Sequence, residues 1–403
     1  MSGPLDGVRI LDLTSNFMGP YAALLLADAG ADVCKIEAPG GDTTRGVGPR
    51  RNPGMSAIFL HLNRNKRSMV LDLKRAEARS ALHRMIAEAD VLMYSLRPAA
   101  MERLGVSYEQ VAQINPRIIY CGAFGFGQNG PYADRPAYDD LIQAAVGMPV
   151  LQSRKAGPPD YVATAIADRV VGMAMSNAVS MALYRRERTG HGQEVQVPMF
   201  ETFAHFVMGD HLYGMTFDPP LGETGYARMM NGDRRPYQTI DGYIGINVYT
   251  DRHWQRFFIV TGHPEMNDDP RFVDIHGRTA NIGELYAYLA QVLATKTTAE
   301  WMEVLTEADI PAIPMNTPDS LLDDPHMKEV GFFIEEDHPT EGRLRSLGIA
   351  QTWSEDQPEI RYPAPQLGQH TAELLAEYGF SDAEAAELIG SGAAGVGART
   401  AHQ

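Results

Sequence analysis

Cysteine is nearly absent from this 403-residue chain. Cys34 and Cys121 stand far apart and in no CxxC pairing, which argues against a disulfide scaffold or a thiolate zinc site and predicts two buried small residues. Long apolar runs are missing too. No window approaches the roughly 18 uninterrupted apolar residues of a membrane helix, and "MSGPLDGVRILDL" has neither the basic start nor the apolar core of an export signal. A cytoplasmic protein with no membrane partner is the expectation. Positive charge is scarce, 35 Lys and Arg against 51 Asp and Glu, and the net charge of −16 argues against nucleic acid as a partner. No GxxxxGK[ST] phosphate loop, GxSxG elbow or HExxH pair occurs, so neither a metal site nor serine-hydrolase chemistry is expected.

What is present is an alternation. "VRILDL", "DVCKIE", "SMVLDL", "VLMYS" and "RIIYCGAF" read as buried strands, separated by helical stretches such as "GPYAALLLADAG" and "ARSALHRMIAEA". Parallel strands joined by crossover helices give a doubly wound, Rossmann-like α/β domain. Pro20 fits the first position of the first helix and Gly30 its far end. The segment "YQTIDGYIGINV" reads as a hairpin turning at Asp241-Gly242, followed by helices around 254–261, 282–294 and 298–308. The expected domains are residues 1–205 (large α/β), 206–235 (linker), 236–322 (a smaller α+β domain) and 323–390 (return to the first). The tail, 391–403, small and polar, is expected to be disordered.

"GFGQNG", Gly125 to Gly130, matches GxGxxG but is followed by Pro131 and Pro136 where a dinucleotide site needs a helix N-terminus. An NAD site is rejected. Charge is uneven: residues 1–75 carry ten Lys or Arg against seven Asp or Glu in an otherwise acidic chain, which points to a small anionic ligand or to a solvated basic face. Asp168 opens the long helical segment "TAIADRVVGMAMSNAVSMALYRRERTGHGQ". Two readings are open: a carboxylate complementing the helix N-terminus, or one held there for chemistry.

The segments "LDGVRILDLT", "GPYAALLLADAGADVCKIEAPGGD", "HLNRNKRSMVLDLK", "GFGQNGPYADRPAYDDLIQAAVG", "TAIADRVVGMAMSNAVSMALYRRERTGHGQEVQVPMFE" and "APQLGQHTAELLAEYG" resemble, in order and spacing, the class III CoA-transferases. That family includes formyl-CoA:oxalate, carnitine and bile-acid CoA-transferases and has the α-methylacyl-CoA racemases as relatives. The resemblance implies an interlocked homodimer. It also implies CoA transfer from an acyl-CoA to a free carboxylic acid, with Asp168 as covalent nucleophile, CoA as substrate and no permanently bound cofactor. It places CoA against Phe17, Met18, Ala38, Leu71, Leu73, Ser95, Leu96 and Arg103. Family members carry Arg where Ala38 stands and Asn where Ser95 stands, which turns the expectation for phosphate contacts to Arg45, Arg64, Lys66 or Arg97. The acyl and acceptor pocket is expected at Gly125, Gly127, Tyr138, Asp139 and Arg228. Glycines 125 to 130 are expected to offer amides to an oxyanion. Some members close the site with a glycine run where this chain has Arg228-Met229-Met230-Asn231-Gly232, with Arg234 and Arg235 beyond. Two alternatives stand beside CoA transfer. The racemases place a histidine where Tyr138 stands, and no histidine lies between His83 and His191, so two-base proton exchange is disfavoured. A protein that binds acyl-CoA without catalysis would use Asp168 only as a cap.

Overall fold

The apolar runs of the first third become β1 (Arg9–Leu13), β2 (Asp32–Glu37), β3 (Lys66–Leu71), β4 (Val91–Tyr94) and β5 (Ile119–Phe124), with β6 (Gln193–Pro198) after the long helix. Every residue of β3, β4 and β5 is buried, as a parallel sheet covered on both faces requires. The structure is a computed structural model and describes residues 3–155 and 157–397. The helices are α1 (Met18–Asp28), α2 (Ala57–Asn63), α3 (Ala76–Ile86), α4 (Pro98–Arg103), α5 (Tyr108–Ile114), α6 (Asp139–Ala145), α7 (Met148–Lys155), α8 (Ile166–Thr189) and α9 (Met199–His211). Later strands are β7 (Tyr237–Gln238), β8 (Tyr243–Ile246), β9 (Ala312–Pro314), β10 (Phe333–His338), β11 (Gly342–Leu347) and β12 (Ala394–Gly395).

The main sheet runs β12-β3-β2-β1-β4-β5-β6, parallel except for β12. From β1 the chain winds outward through α1 and α2 to β3, then crosses by α3 to β4 on the other side of β1. The strand ends of β1 and β4 therefore diverge at a topological switch point, where α/β sheets open a crevice. One face of this sheet packs Leu82, Met85, Leu92 and Tyr120 against Leu374, Leu375 and Leu388 from the C-terminal return.

Contacts divide the chain into two units. The first takes Met1–Val146, Val162–Phe206 and Glu329–Gln403, the second Gly147–Tyr161 and Val207–Lys328. Gly147–Tyr161 was expected in the first domain, but the Arg154 guanidinium donates to the Thr224 carbonyl at 2.9 Å, holding this segment to the second unit. The second unit builds its own core from Trp254, Phe257, Phe258, Leu289 and Trp301 under the three-stranded sheet β7-β8-β9. The hairpin around Asp241-Gly242 is present, with Gln238 opposite Tyr243.

Two local expectations are corrected. α1 begins at Met18, so Pro20 is its third residue rather than its first; the ring is tolerated because amides of the first turn have no intrahelical acceptor. The tail is ordered as far as β12, which extends the sheet by pairing Ala394 with Leu71 and Gly395 with Val70; residues 398–403 lie outside the described residues. Both cysteines are buried.

Candidate active site

The C-terminal ends of β1, β4 and β5 open into a cleft of about 410 Å³. Asn16, Phe17 and Met18 line it from the β1–α1 junction, Ser95 and Arg97 from the end of β4, Gly125 and Arg135 to Tyr138 from the β5–α6 segment, and Asp168 from α8. A second pocket of about 370 Å³ lies at the ends of β1, β2 and β3, lined by Ala38, Leu71, Leu73, Lys74, Leu96 and Leu104 among others. Ser15 lines both. Its amide donates to Ser95 Oγ at 3.0 Å, bridging the two strand ends at the switch point.

Asp168 reaches the cleft because α8 packs closely on α1. A Cβ on Gly172 would stand 2.7 Å from the Met18 carbonyl oxygen and 3.0 Å from Tyr21 Cδ1, so only glycine permits this approach. Asp168 is the third residue of α8, whose N-cap is Ala165. Capping comes from another helix: the Asp168 amide donates to Asp139 Oδ1 at 3.0 Å. Asp139 Oδ2 accepts from Gln143 Nε2 at 2.7 Å, and Gln143 Oε1 accepts from the Val162 amide at 3.0 Å. The Asp168 carboxylate itself accepts no hydrogen bond among the described residues. Burial pushes it up to about 7; Asp139 and Asp140 act in the same direction, and Arg169 opposes them. Arg169 stacks its guanidinium 4.3 Å from the centre of the Tyr21 ring.

The other expected residues divide. Ala38, Leu71, Leu73 and Leu96 gather in the second pocket, while Phe17, Met18, Ser95, Arg97, Gly125 and Tyr138 gather around Asp168. Arg103, at the exposed end of α4, lines neither. Arg228 belongs to the second unit, where Nε donates to Tyr286 Oη at 3.2 Å and the guanidinium lies over Tyr249. In that unit Arg234 contacts Met229 Sδ and Arg235 faces Asp233 at 3.8 Å. Gly127 has its amide bound to Glu201 Oε1 at 2.9 Å, and the Gly130 amide donates to the Gly127 carbonyl. Those two amides are therefore engaged and not turned to an oxyanion.

The basic N-terminal residues are the main departure. Arg45 was expected at the CoA phosphates, yet it is buried, bonds both Glu37 oxygens at 2.7 Å, donates to the Gly54 and Pro365 carbonyls and stacks on Phe59. Arg64 pairs with Asp28 at 2.7 Å. Lys66, fully buried between Asp12, the Pro20 carbonyl and Asn63, is pushed down to about 8 chiefly by burial. Arg67 pairs with Asp32 and with Glu373 and Glu377 of the C-terminal return. Five of the ten cations of residues 1–75, Lys35, Arg45, Arg64, Lys66 and Arg67, are thus paired inside the fold, because a charge taken out of water needs a partner there, while Arg50, Arg51, Lys74 and Arg75 are exposed. Of Arg45, Arg64, Lys66 and Arg97, Arg97 is the exposed one.

Sequence reasoning missed Asn16 and Arg135. Asn16 adopts φ +68°, a left-handed turn between strand and helix that asparagine tolerates. Arg135 gave no signal beyond lying in the loop before Tyr138.

The model of the family described as CoA-transferase family III matches residues 5–371. The chain belongs to CoA-transferase family III. It is 35% identical over 391 residues to acetyl-CoA:oxalate CoA-transferase of Acetobacter aceti, covering 95% of this chain and 97% of that one. Formyl-CoA:oxalate CoA-transferase of Escherichia coli is 32% identical over 413 residues, covering 96% and 99%. The solved structure of Rv3272 from M. tuberculosis matches with a TM-score of 0.80 at 30% identity, over 92% of this chain and 99% of that one. This family III member is therefore an enzyme of the transferase class, acting on CoA thioesters. Among its described residues no helix is long and apolar enough to cross a membrane, and no group of His, Cys, Asp and Glu is arranged to hold a metal ion.

Proposed function

We propose that this enzyme moves CoA from an acyl-CoA donor to a free carboxylic acid through covalent intermediates on Asp168. The observation that carries the reading is an unpartnered, partly buried carboxylate facing a cleft that shares Ser15 with a second pocket at the strand ends. A cap would have its oxygens on amides; this one leaves them open to an electrophile. A carboxylate oxygen of Asp168 attacks the thioester carbonyl carbon, the C–S bond breaks, and a mixed anhydride and CoA thiolate result. The thiolate then attacks the aspartyl carbonyl, breaking the anhydride C–O bond and releasing the donor acid as a carboxylate. The acceptor carboxylate attacks the aspartyl-CoA thioester, and the returning thiolate takes the acceptor acyl group and restores Asp168. Over the full cycle one thioester and one carboxylate are exchanged for another thioester and another carboxylate, so no nucleoside triphosphate is consumed and no net proton is exchanged.

The CoA nucleotide is assigned to the pocket at Ala38, Leu71 and Leu96, with Arg97 at the junction, and the acyl group to the side of Gly125 and Tyr138. Asp139 and Gln143 are positioning residues that hold the start of α8. An interlocked homodimer is part of the same reading. It is supported by a first unit assembled from three separated segments and by the exposed stripe Met173, Met181 and Tyr184 on α8.

The decisive experiment is chemical trapping. Hydroxylamine treatment of enzyme incubated with acyl-CoA, followed by peptide mass spectrometry, is expected to place a hydroxamate at residue 168. Trapping at another carboxylate, or full turnover in Asp168→Asn, would overturn the assignment.

A further inference from the structure

Lys66 is a strand residue with a charge and no exposure. From β3 its ammonium group reaches the start of α1, where Nζ donates to the Pro20 carbonyl at 2.8 Å, to Asn63 Oδ1 of α2 at 3.0 Å and to Asp12 Oδ2 of β1 at 3.3 Å. An ammonium has three N–H donors, and all three are used. Asp12 carries the connection onward, because its Oδ1 accepts from the Thr14 amide at 2.9 Å and from the Thr14 hydroxyl. The end of β1 and the first turn of α1 are thereby tied to one buried cation.

That junction builds a wall of the reacting cleft. Ser15, Asn16, Phe17 and Met18, which line the cleft with Asp168, lie between the two tied points, Thr14 and Pro20. A Cβ on Gly19 would stand 2.3 Å from Thr14 Cβ, and Gly172 of α8 packs on the Met18 carbonyl, so a shift in the first turn of α1 reaches both the cleft wall and the helix that carries Asp168. Replacing a buried ion pair by apolar side chains of similar volume often costs a protein no stability. What the lysine adds here is the geometry of three directed bonds.

We propose that Lys66 is a positioning residue for CoA transfer, its ammonium group tying the first turn of α1 to the end of β1 and so fixing the Phe17–Met18 wall of the Asp168 cleft. The proposal rests on the Asp168 reading for the identity of the cleft that is fixed. The tie is also sensitive to a proton. Burial pushes Lys66 down to about 8, with Lys35 of β2 acting the same way and Asp12 and Asp42 opposing. Against its own burial, Lys35 is held above its ordinary value by Asp12, Asp42 and Glu37, so of the two buried lysines Lys66 is the one that deprotonates. A neutral amine has two N–H groups for three acceptors, and one tie is given up.

The test is amide hydrogen exchange read by mass spectrometry on peptides covering residues 14–21, corrected for the intrinsic rate. In the unsubstituted protein protection is expected to fall about tenfold between pH 7 and pH 9, in Lys66→Met to be low and equal at both, and in Asp12→Asn to fall at lower pH, since the anion that sustains the ammonium is gone. Protection that stays within about twofold from pH 7 to pH 9, or a loss that persists unchanged in Lys66→Met, would overturn the proposal. Should Lys66→Met not fold, the unsubstituted protein and Asp12→Asn still decide. Turnover, followed as exchange of labelled acetate into acetyl-CoA, reads the consequence for chemistry. Its kcat is expected to descend above pH 8 to the pH-independent level of Lys66→Met, about tenfold lower, and a basic limb that neither variant moves refutes the positioning role. The nucleophile assignment fails separately, through full turnover in Asp168→Asn, and that outcome leaves the hydrogen-exchange result standing.

Discussion

At Asp168 two effects oppose each other. The helix N-terminus favours the anion, while burial and the like charges of Asp139 and Asp140 disfavour it, and the second set wins, placing the group near 7. The nucleophile is the ionised form, so kcat/KM is expected to fall below pH 7 by about tenfold per unit, as a pH–rate profile will show. Stability carries the same signature with a definite sign. Between the ordinary value of 3.8 and the folded value of about 7 the native state holds a proton that the unfolded chain has lost, so stability decreases as pH rises through that window and the cost is complete above it. Asp168→Asn removes that cost. Its melting temperature at pH 8 is expected to exceed that of the unsubstituted enzyme by a few degrees, with CoA still bound and turnover nearly abolished. Asp139→Asn keeps an acceptor for the Asp168 amide but removes a like charge, and should move the acidic limb of the pH–rate profile to lower pH. A limb that does not move would show that burial acts alone.

At the scale of elements, the approach of α1 and α8 at Gly172 sets where Phe17, Met18 and Asp168 stand. Gly172→Ala would bring a methyl group against backbone, which has no rotamer to yield. Overpacking of this sort costs roughly 1–3 kcal/mol, readable by denaturant unfolding, and activity should fall with it as the two helix starts separate. The C-terminal end of β2 offers a second test. Arg45→Met leaves Glu37 buried without its bidentate partner, a loss of about 3–5 kcal/mol, and should appear as lowered stability. Arg97→Gln is expected to do the opposite, leaving the melting temperature in place and raising the Kd for CoA in calorimetry. Equal effects of the two on CoA affinity would reinstate Arg45 as a ligand contact.

For the whole molecule, the buried part of the charge pattern is settled by folding rather than by binding. Arg67 reaches acids more than 300 residues later in the chain, and Arg64 and Arg45 are held by Asp28 and Glu37. The salt dependence of CoA affinity is accordingly expected to come from the exposed cations that line the two pockets, Lys74, Arg97 and Arg135, and not from the buried ones. Light scattering should give a particle of twice the 44.3 kDa chain, with no dissociation at nanomolar concentration if the two copies are interlocked. A stable monomer would remove that part of the proposal.

The parallel strands, the hairpin at Asp241-Gly242 and the family were legible in the sequence because each rests on local patterns: apolar runs of strand length, turn residues, and motifs in fixed order. The resemblance to the family implied Ala38, Leu71 and Leu96 as one group, and the strand ends, which carry ligands in such folds, bring them to one pocket. The fate of a charge was not legible. Whether Arg45, Arg64 or Lys66 meets a ligand or an internal carboxylate depends on partners brought close only by the folded sheet. The chain around Asp168 could not show that Asp139 would take its amide, leaving the carboxylate open, nor that Arg135 would stand in the same cleft. Local pattern fixed which elements form. Tertiary contact decided which side chains were left without partners, and in a reactive cleft those are the ones available for chemistry.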